Sequence, residues 1–553
     1  MREFPCPEPI RVDAYQAAHF TLIPPGMENF ECSQGIFRHS VCPARNGRAD
    51  LRLISAGLAP FIKLNLEQAI VAGDLSAADD FWCDFHAQAA PPYRKPYPWP
   101  RDMFRRIVEQ YGGRYPIVVT GLLDGQAHYV GEPHVQVWTD EPGMGECVGW
   151  IESTLLPYLW TSSTVATRGR LRKERMLDVF RRCYPSRHED ELHDMVSYKF
   201  HDFGRRGGAA TQITGIAHLI NWLGTDTCDA AYAASKYLNG GEKFGACSIV
   251  ASAHRTVTPW PTEIEAYRNV IDKYKNGLVS IVADSYDYTR GMEMLAGFAD
   301  VVKLNGGCLI GRPDSGDPVQ CILDGLEIFA RAFGVTVQEQ GLRVLQNAAI
   351  IQGDGIADEM IFDKIYPAVI AAGFCPSNVA FGMGDHNHKA IRSETEHAYK
   401  TCLVGTDSSA ARLDPARGDS SSASDESRDF RPVMKSSESL FKRSLPCAVA
   451  LDYSRAAAGD FKNRVRPARV RDLKSGETGE LVVLYDGRPR PLPARSELFT
   501  QTRERAYRSW KELIHDPGDT FSPEIRRMQE DYIRRQTSAL DLPATRAKIK
   551  TPG

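Results

Sequence analysis

The sequence predicts an α/β protein with, at its centre, an irregular β/α barrel of about seven parallel strands. A short apolar run, a loop rich in Gly, Asp and Arg, and a longer segment compatible with a helix repeat through the middle of the chain. The repeat is roughly 30 residues long, which is the length of a strand, a helix and a return strand. The residues that end the apolar runs are Phe203, Asp226, His254, Asp284, Asp314, Asp354 and Asp385.

A closed or nearly closed barrel follows from this repeat. Parallel strands need a crossover connection each time, and right-handed crossovers wrap the helices around the outside of the sheet. An open, doubly wound sheet has the same period and stays an alternative. In barrels the catalytic residues lie at the carboxyl ends of the strands, which is where this chain places its charged residues and glycines. Both architectures therefore predict a site at this edge.

The chain of 553 residues is longer than one hydrophobic core usually serves, so more than one domain is expected. Residues 1–155 are predicted to form a mixed α+β domain and residues 156–405 the barrel. Residues 431–553 are predicted to return to the α+β domain and to end in solvated outer helices. Residues 406–430, rich in Ser and Asp, have little to bury and predict a mobile lid or a disordered insertion.

Composition excludes several classes of protein. The formal net charge of -3 provides no basic surface for nucleic acid. No stretch approaches the ~18 apolar residues of a membrane span, and the N-terminus lacks the apolar region of a signal peptide, so a cytoplasmic location is expected. Thirteen cysteines occur without a C-x-x-C pair, which favours reduced, packed thiols over disulfides or structural zinc.

Several short motifs occur in one order along the chain. They are D-A-Y-x-x-x-H from Asp13, P-P-G from Pro24, W-I-E-S from Trp150, Y-K-F-H-D-F-G-R-R-G from Tyr198, G-T-D-T from Gly224, A-D-S-Y-D from Ala283, G-R-P-D-S-G from Gly311, I-Q-G-D-G from Ile351 and A-F-G-x-G from Ala380. Together they resemble the nicotinamide phosphoribosyltransferase family, from Asp13 to the region of Lys400.

The resemblance implies an enzyme that joins nicotinamide to the ribose of phosphoribosyl pyrophosphate and releases pyrophosphate. It further implies Mg²⁺ as cofactor, ATP as an optional activating co-substrate, and a homodimer with shared active sites. Such a reaction needs a slot for the ring, carboxylates for the ribose hydroxyls or the metal, amides for the 5′-phosphate and cations for pyrophosphate. Nicotinate phosphoribosyltransferase is the related alternative, and a catalytically silent binding homologue is the alternative from another class.

The resemblance assigns the ring slot to Phe203 and Tyr15, with Asp13 beside the latter. In the family this tyrosine comes from the second subunit. Aromatic faces attract a ring that becomes cationic, although each residue alone is more often a core aromatic. Asp226 resembles the aspartate that accepts a hydrogen bond from the carboxamide, and its charge would repel nicotinic acid. Its structural alternative is to cap the helix that follows.

Four residues resemble the family's groups around the amide, the ribose and the metal, namely Arg312, Asp314, Asp284 and Asp354. The identity of the metal ligands stays open. Salt bridges with a structural role are the alternative for each of these four residues. Gly353 and Gly384 follow the last two apolar runs, where barrels build phosphate sites from backbone amides. The family carries more glycine at the second loop, whereas this chain has Asp385.

Cations for pyrophosphate are expected at Arg206, Arg392 and Lys400, and a weaker match is Lys435. Such cations are otherwise typical of a solvated helical face. His254 aligns with the histidine that the family phosphorylates from ATP. The preceding residue is Ala253, where the family has Glu, so the imidazole lacks that orienting carboxylate. We therefore expect ATP to assist the transfer without being required for it.

Overall fold

A computed structural model describes residues 6–43, 49–87, 91, 94–204, 210–239, 246–353, 356–406, 430–435, 444–454, 461–488 and 499–538. The chain divides into two compact units. Unit 1 comprises Met1–Thr164, Tyr237–Gly240 and Ala390–Gly553, and unit 2 comprises Val165–Lys236 and Gly241–Lys389. None of the helices in the described ranges is long and apolar enough to cross a membrane.

The strands are numbered in chain order: β1 (Glu31–Ile36), β2 (Arg52–Ile54), β3 (Val118–Gly121), β4 (Ala127–Tyr129), β5 (Pro133–Thr139), β6 (Phe200–Asp202), β7 (Gly224–Thr225), β8 (Val250–Ala251), β9 (Leu278–Val282), β10 (Cys308–Arg312), β11 (Val335–Val337), β12 (Arg343–Leu345), β13 (Ala348–Gln352), β14 (Val379–Met383), β15 (Ala398–Gly405), β16 (Phe430–Pro432), β17 (Ala448–Leu451), β18 (Val465–Ala468) and β19 (Val482–Tyr485).

The α-helices are α1 (Ala14–Ala17), α2 (Leu58–Phe61), α3 (Ala72–Asp84), α4 (Arg101–Gln110), α5 (Glu146–Trp150), α6 (Glu152–Cys183), α7 (Glu189–Ser197), α8 (Thr211–Leu219), α9 (Cys228–Tyr237), α10 (His254–Val257), α11 (Glu263–Tyr274), α12 (Tyr288–Ala296), α13 (Ala299–Leu304), α14 (Pro318–Phe333), α15 (Tyr366–Ala371), α16 (Asp385–His388), α17 (Val470–Ser475), α18 (Phe499–Glu512) and α19 (Pro523–Ser538).

Unit 2 contains a sheet of seven strands in the order β7-β6-β14-β13-β10-β9-β8, and all its neighbouring pairs are parallel. A parallel bridge between Gly224 and Cys247 links β7 to the segment that leads into β8. The strands then follow chain order around the sheet, as in a nearly closed barrel, whereas a doubly wound sheet reverses its order at a switch point. The predicted α/β class with about seven parallel strands is confirmed.

Each of the seven apolar runs is a strand that ends one to three residues before the residue named for it. The longest interval, between Asp314 and Asp354, contains the extra antiparallel pair of β11 and β12. Asp287 caps α12 by accepting from Arg290 N–H at 2.8 Å, and Asp317 caps α14 in the same way. Because a helix begins at each of these caps, the loops after β9 and β10 are only a few residues long.

Unit 1 contains an antiparallel sheet in the order β16-β15-β1-β5-β3-β19. It joins strands from both ends of the chain, so the predicted α+β domain of N- and C-terminal segments is confirmed. β15, inside the range predicted for the barrel, pairs with β1 and belongs to this sheet. Its core includes the fully buried Val135, Val137 and Tyr485.

The C-terminal helices pack against other strands of unit 1, with α18 against β2 and β4 and α19 against β18. Their many charged residues predicted solvated outer helices, but one face of each is buried. Trp510 on α18 is 1% exposed and Ile525 on α19 is fully buried. Two or three large apolar residues per helix are enough to bury one face, even when the remaining positions are charged.

Candidate active site

The loops after β9 and β10 bring Asp284 and Asp314 together. The two strands are parallel neighbours with Val282 opposite Arg312, and each aspartate follows its strand by two residues. Asp314 N–H donates to Asp284 Oδ2 at 3.1 Å, and the Ser315 hydroxyl donates to the same oxygen at 2.5 Å. The parallel register therefore places two predicted carboxylates in one site.

His254 lies beside this pair of carboxylates. Its Nε2 is 3.7 Å from Asp284 Oδ1 and 3.6 Å from Asp314 Oδ2, and its Nδ1 is 3.1 Å from the Ser285 hydroxyl. The imidazole is 45% exposed, so it is not a core histidine. The carboxylate that Ala253 cannot supply is replaced by two carboxylates from neighbouring loops. Tertiary structure thus gives this histidine the anionic partners that its local sequence lacks.

Arg312 and Gly353 complete the surroundings of Asp314. Arg312 Nε lies 3.3 Å from Asp314 Oδ1. A methyl group at Gly353 would lie 1.9 Å from that oxygen, so any side chain there requires the Asp314 carboxylate or the loop to move. The Gly353 N–H donates to the Pro313 carbonyl at 3.2 Å. The backbone amide that was expected to bind phosphate therefore makes a hydrogen bond within the protein. The lack of a side chain at Gly353 allows the loops after β10 and β13 to approach each other closely.

The ring of Phe203 packs over a glycine of the neighbouring strand. A methyl group at Gly382 would lie 2.3 Å from Phe203 Cζ, and Phe203 N–H donates to the Met383 carbonyl at 3.2 Å. This contact explains the first glycine of the A-F-G-x-G motif. Gly384, the second, precedes α16, in which Asp385 is exposed.

Asp226 is exposed at the end of β7. Its N–H donates to the Asp202 carbonyl at 3.0 Å, and its Oδ1 accepts a hydrogen bond from the Ser248 hydroxyl. The following helix begins at Cys228, and the carboxylate is oriented by a side chain from the loop before β8. The sequence did not predict Ser248, because a serine that lies outside every motif cannot be recognised as a site residue.

Four predicted site residues lie in unit 1. Asp13 N–H donates to the Ser153 hydroxyl at 3.1 Å, which fixes the start of α1 to the W-I-E-S motif. Tyr15 is 63% exposed, and its ring contacts His19 edge-on at 5.4 Å between centroids. An exposed tyrosine next to a tethered aspartate is available to a ligand or to another subunit.

Arg392 and Lys400 belong to a cluster of cations in unit 1. Burial lowers the pKa of Lys400, the nearby Glu152 raises it, and Arg38, Lys435 and Arg392 lower it further. Arg38 was not predicted. It follows β1 by two residues and its N–H donates to the Thr395 carbonyl at 3.0 Å, so strand pairing brings it to this cluster. Several cations around one carboxylate form an attractive site for a polyanion.

Arg206 and Asp354 lie outside the described residues, as does most of the predicted lid. Across the part of the chain that is described, no group of three or more His, Cys, Asp and Glu is arranged to hold a metal ion. Asp284 Oδ1 is buried and accepts no hydrogen bond from the described residues, although it faces His254. Two adjacent carboxylates, one with a spare oxygen, fit Mg²⁺ that is also held by substrate phosphates.

Three comparisons with known proteins show what this chain is similar to. Residues 198–419 match the nicotinate phosphoribosyltransferase (NAPRTase) family. The chain is 30% identical over 420 residues to a nicotinamide phosphoribosyltransferase of Xanthomonas campestris pv. campestris, a match that covers 74% of this chain and 82% of that protein. It is 28% identical over 314 residues to one of Acinetobacter baylyi, covering 51% of this chain and 60% of that protein.

The crystal structure of human nicotinic acid phosphoribosyltransferase has a similar fold, with a TM-score of 0.51 at 16% identity. That match covers 94% of this chain and 99% of the human chain. At this identity it supports the fold alone. The relationship at 30% identity extends over most of both sequences. The chain belongs to the nicotinamide phosphoribosyltransferase family.

Proposed function

We propose that this protein joins nicotinamide to the ribose of phosphoribosyl pyrophosphate, giving nicotinamide mononucleotide and pyrophosphate for NAD salvage. The observation that carries the proposal is the set of groups at the carboxyl ends of the barrel strands. Phe203 follows β6 and Asp226 follows β7. Arg312, the last residue of β10, lies beside Asp314. These groups are among those that a substitution at the ribose by a pyridine nitrogen requires.

In this reaction Phe203 stacks against the pyridine ring, which gains positive charge as the bond to ribose forms. Asp226 accepts a hydrogen bond from the carboxamide. Asp314 and Arg312 orient the ribose and the ring, and the family resemblance assigns Arg392 and Lys400 to the pyrophosphate. Mg²⁺ held by Asp284, Asp314 and the substrate would neutralise charge on the leaving pyrophosphate.

We further propose that the enzyme acts as a homodimer in the cytoplasm. Tyr15 is exposed, and the family resemblance assigns this residue to the neighbouring subunit's site. Thirteen cysteines without a C-x-x-C pair suit a reducing compartment.

The first prediction concerns the base. Nicotinamide should give a kcat/KM about 100-fold or more above that of nicotinic acid, because juxtaposed like charges cost several kcal/mol. Asp226→Asn should narrow this ratio by removing the repulsive charge. Steady-state assays with phosphoribosyl pyrophosphate and Mg²⁺ measure both bases, and Asp300→Asn, at a fully exposed position, is the matched control. Equal use of both bases by the parent enzyme would favour nicotinate phosphoribosyltransferase, and no product from either would favour a silent homologue.

The second prediction concerns the shared site. Tyr15→Ala and Phe203→Ala proteins should each be inactive, and mixing them should restore about a quarter of the parental activity in a two-fold dimer. Half of the dimers are then hybrids, and each hybrid has one intact site. Each variant incubated alone provides the control. If mass spectrometry shows subunit exchange and activity does not return, the site is not shared.

The third prediction concerns ATP. We expect mononucleotide formation without ATP, and faster formation with it, because the groups for transfer are present without His254. An imidazole flanked by Asp284 and Asp314 can accept a phosphoryl group from ATP. His254→Ala should abolish the stimulation, ATP hydrolysis and acid-labile phosphoprotein, but keep the ATP-independent transfer. Loss of all parental activity without ATP, or equal stimulation of His254→Ala, would contradict this role.

A further inference from the structure

Asp202 is a buried carboxylate that contacts loops at the carboxyl ends of three neighbouring barrel strands. It is the last residue of β6, directly before Phe203, and is fully buried. Its Oδ2 accepts a hydrogen bond from the Thr227 hydroxyl at 2.7 Å and lies 3.3 Å from His388 Nε2. Its backbone carbonyl accepts the Asp226 N–H at 3.0 Å. One residue therefore joins the loops after β6, β7 and β14.

His388 connects Asp202 to the short helix α16, which follows Gly384. The His388 Nδ1 lies 2.6 Å from the Thr214 hydroxyl, the shortest contact of that hydroxyl. When the hydroxyl donates to Nδ1, a neutral imidazole carries its proton on Nε2, which faces the carboxylate.

His218 provides a second link to the same helix. Its Nε2 lies 2.8 Å from the Gly224 carbonyl, which only accepts, so this nitrogen carries the proton. Its Nδ1 then accepts from the Asn387 side chain at 3.2 Å. Burial lowers the pKa of His218 to about 4, so the ring is neutral at pH 7.

The hydrogen bonds keep Asp202 ionised in this buried place. Burial raises its pKa, whereas the facing His218, the nearby His388 and the hydroxyls of Thr225 and Thr227 lower it, to a net value of about 2. A buried charge seldom stabilises a fold more than an apolar side chain of the same volume. We therefore attribute the position of Asp202 between three loops to the geometry that it imposes on these loops.

We propose that Asp202 is a positioning residue with two separable branches. Through Thr227 it fixes Asp226 and the base-binding loop, and through His388 it fixes α16 and the phosphate side of the site. The inference rests on the proposed function, since nicotinamide and phosphoribosyl pyrophosphate define the two sides.

The test compares the two branches. Thr227→Val keeps the shape but loses the hydroxyl, and should raise the KM for nicotinamide about 10-fold while the KM for phosphoribosyl pyrophosphate and kcat stay within about 2-fold. Thr227→Ser should restore the parental KM. His388→Phe should instead raise the KM for phosphoribosyl pyrophosphate, and His388→Gln, which can place an N–H near the position of Nε2, should recover it. Asp202→Asn should raise both constants.

The controls are Thr336→Val and Asp300→Asn, both at exposed positions. Melting temperatures identify variants that are merely destabilised. Calorimetric Kd values for nicotinamide and for the Mg²⁺ complex of phosphoribosyl pyrophosphate report the same split without turnover. If the parent protein binds both ligands but forms no product, the proposed reaction fails, and the Kd values still test the positioning role of Asp202. A Thr227→Val protein with parental binding of nicotinamide, or with equal losses for both ligands, would overturn the positioning role.

Discussion

Gly353→Ala is expected to lower kcat/KM by about 100-fold or more, because a displacement of about 1 Å in a reacting group has effects of that size. The added methyl group would lie 1.9 Å from Asp314 Oδ1, far inside van der Waals contact. Either the carboxylate or the loop after β13 must move. Asp314 also faces His254 and Arg312, so its displacement changes the whole carboxylate group.

The matched control is Gly277→Ala in the same unit. Among the described residues, a methyl group there meets only the Tyr274 carbonyl, at 3.7 Å, which is ordinary contact. This variant should keep the parental kcat/KM. The melting temperatures of both variants are measured with the kinetics, because the loop near Gly353 can shift without unfolding the barrel. A Gly353→Ala enzyme with parental kcat/KM would show that the approach of this loop to Asp314 is not needed for activity.

Arg464→Met is expected to have the largest effect on stability, a loss of about 3 to 5 kcal/mol in the free energy of unfolding. Arg464 and Glu132 are both fully buried, and two N–H groups of the guanidinium donate to the carboxylate at 2.9 and 3.2 Å. The guanidinium also lies 3.9 Å from the centre of the Tyr453 ring. Without Arg464, the Glu132 charge is buried without its partner.

A double variant separates the unpaired charge from the loss of packing. Glu132→Gln combined with Arg464→Met should recover much of the loss, because Gln keeps an acceptor for the Tyr129 N–H and carries no charge. Arg508→Met, which breaks an exposed pair with Glu504, should cost less than about 0.5 kcal/mol. The measurement is the urea midpoint of the transition of unit 1, multiplied by its slope. A loss for Arg464→Met as small as that for Arg508→Met would contradict the importance of the buried pair.

The sequence by itself determined the order and the ends of the barrel strands. Each strand is a short apolar run, and the residue that follows it must be polar or flexible enough to turn, as at Asp284 and Asp314. Such patterns are local, because burial of a strand depends on the residues within it. The motifs that contain Phe203 and Asp226 are also local, since each is a run of neighbouring residues that resembles a family motif.

Tertiary structure decided which distant residues meet. It placed two carboxylates beside His254, brought Arg38 to Lys400, and occupied the Gly353 amide with the Pro313 carbonyl. It also buried one face of the charged helices α18 and α19, and gathered Thr227, His218 and His388 around Asp202. The physical reason is that strand register and side-chain packing set these contacts between residues far apart in sequence, whereas a local pattern reports only that a residue is polar, apolar or small.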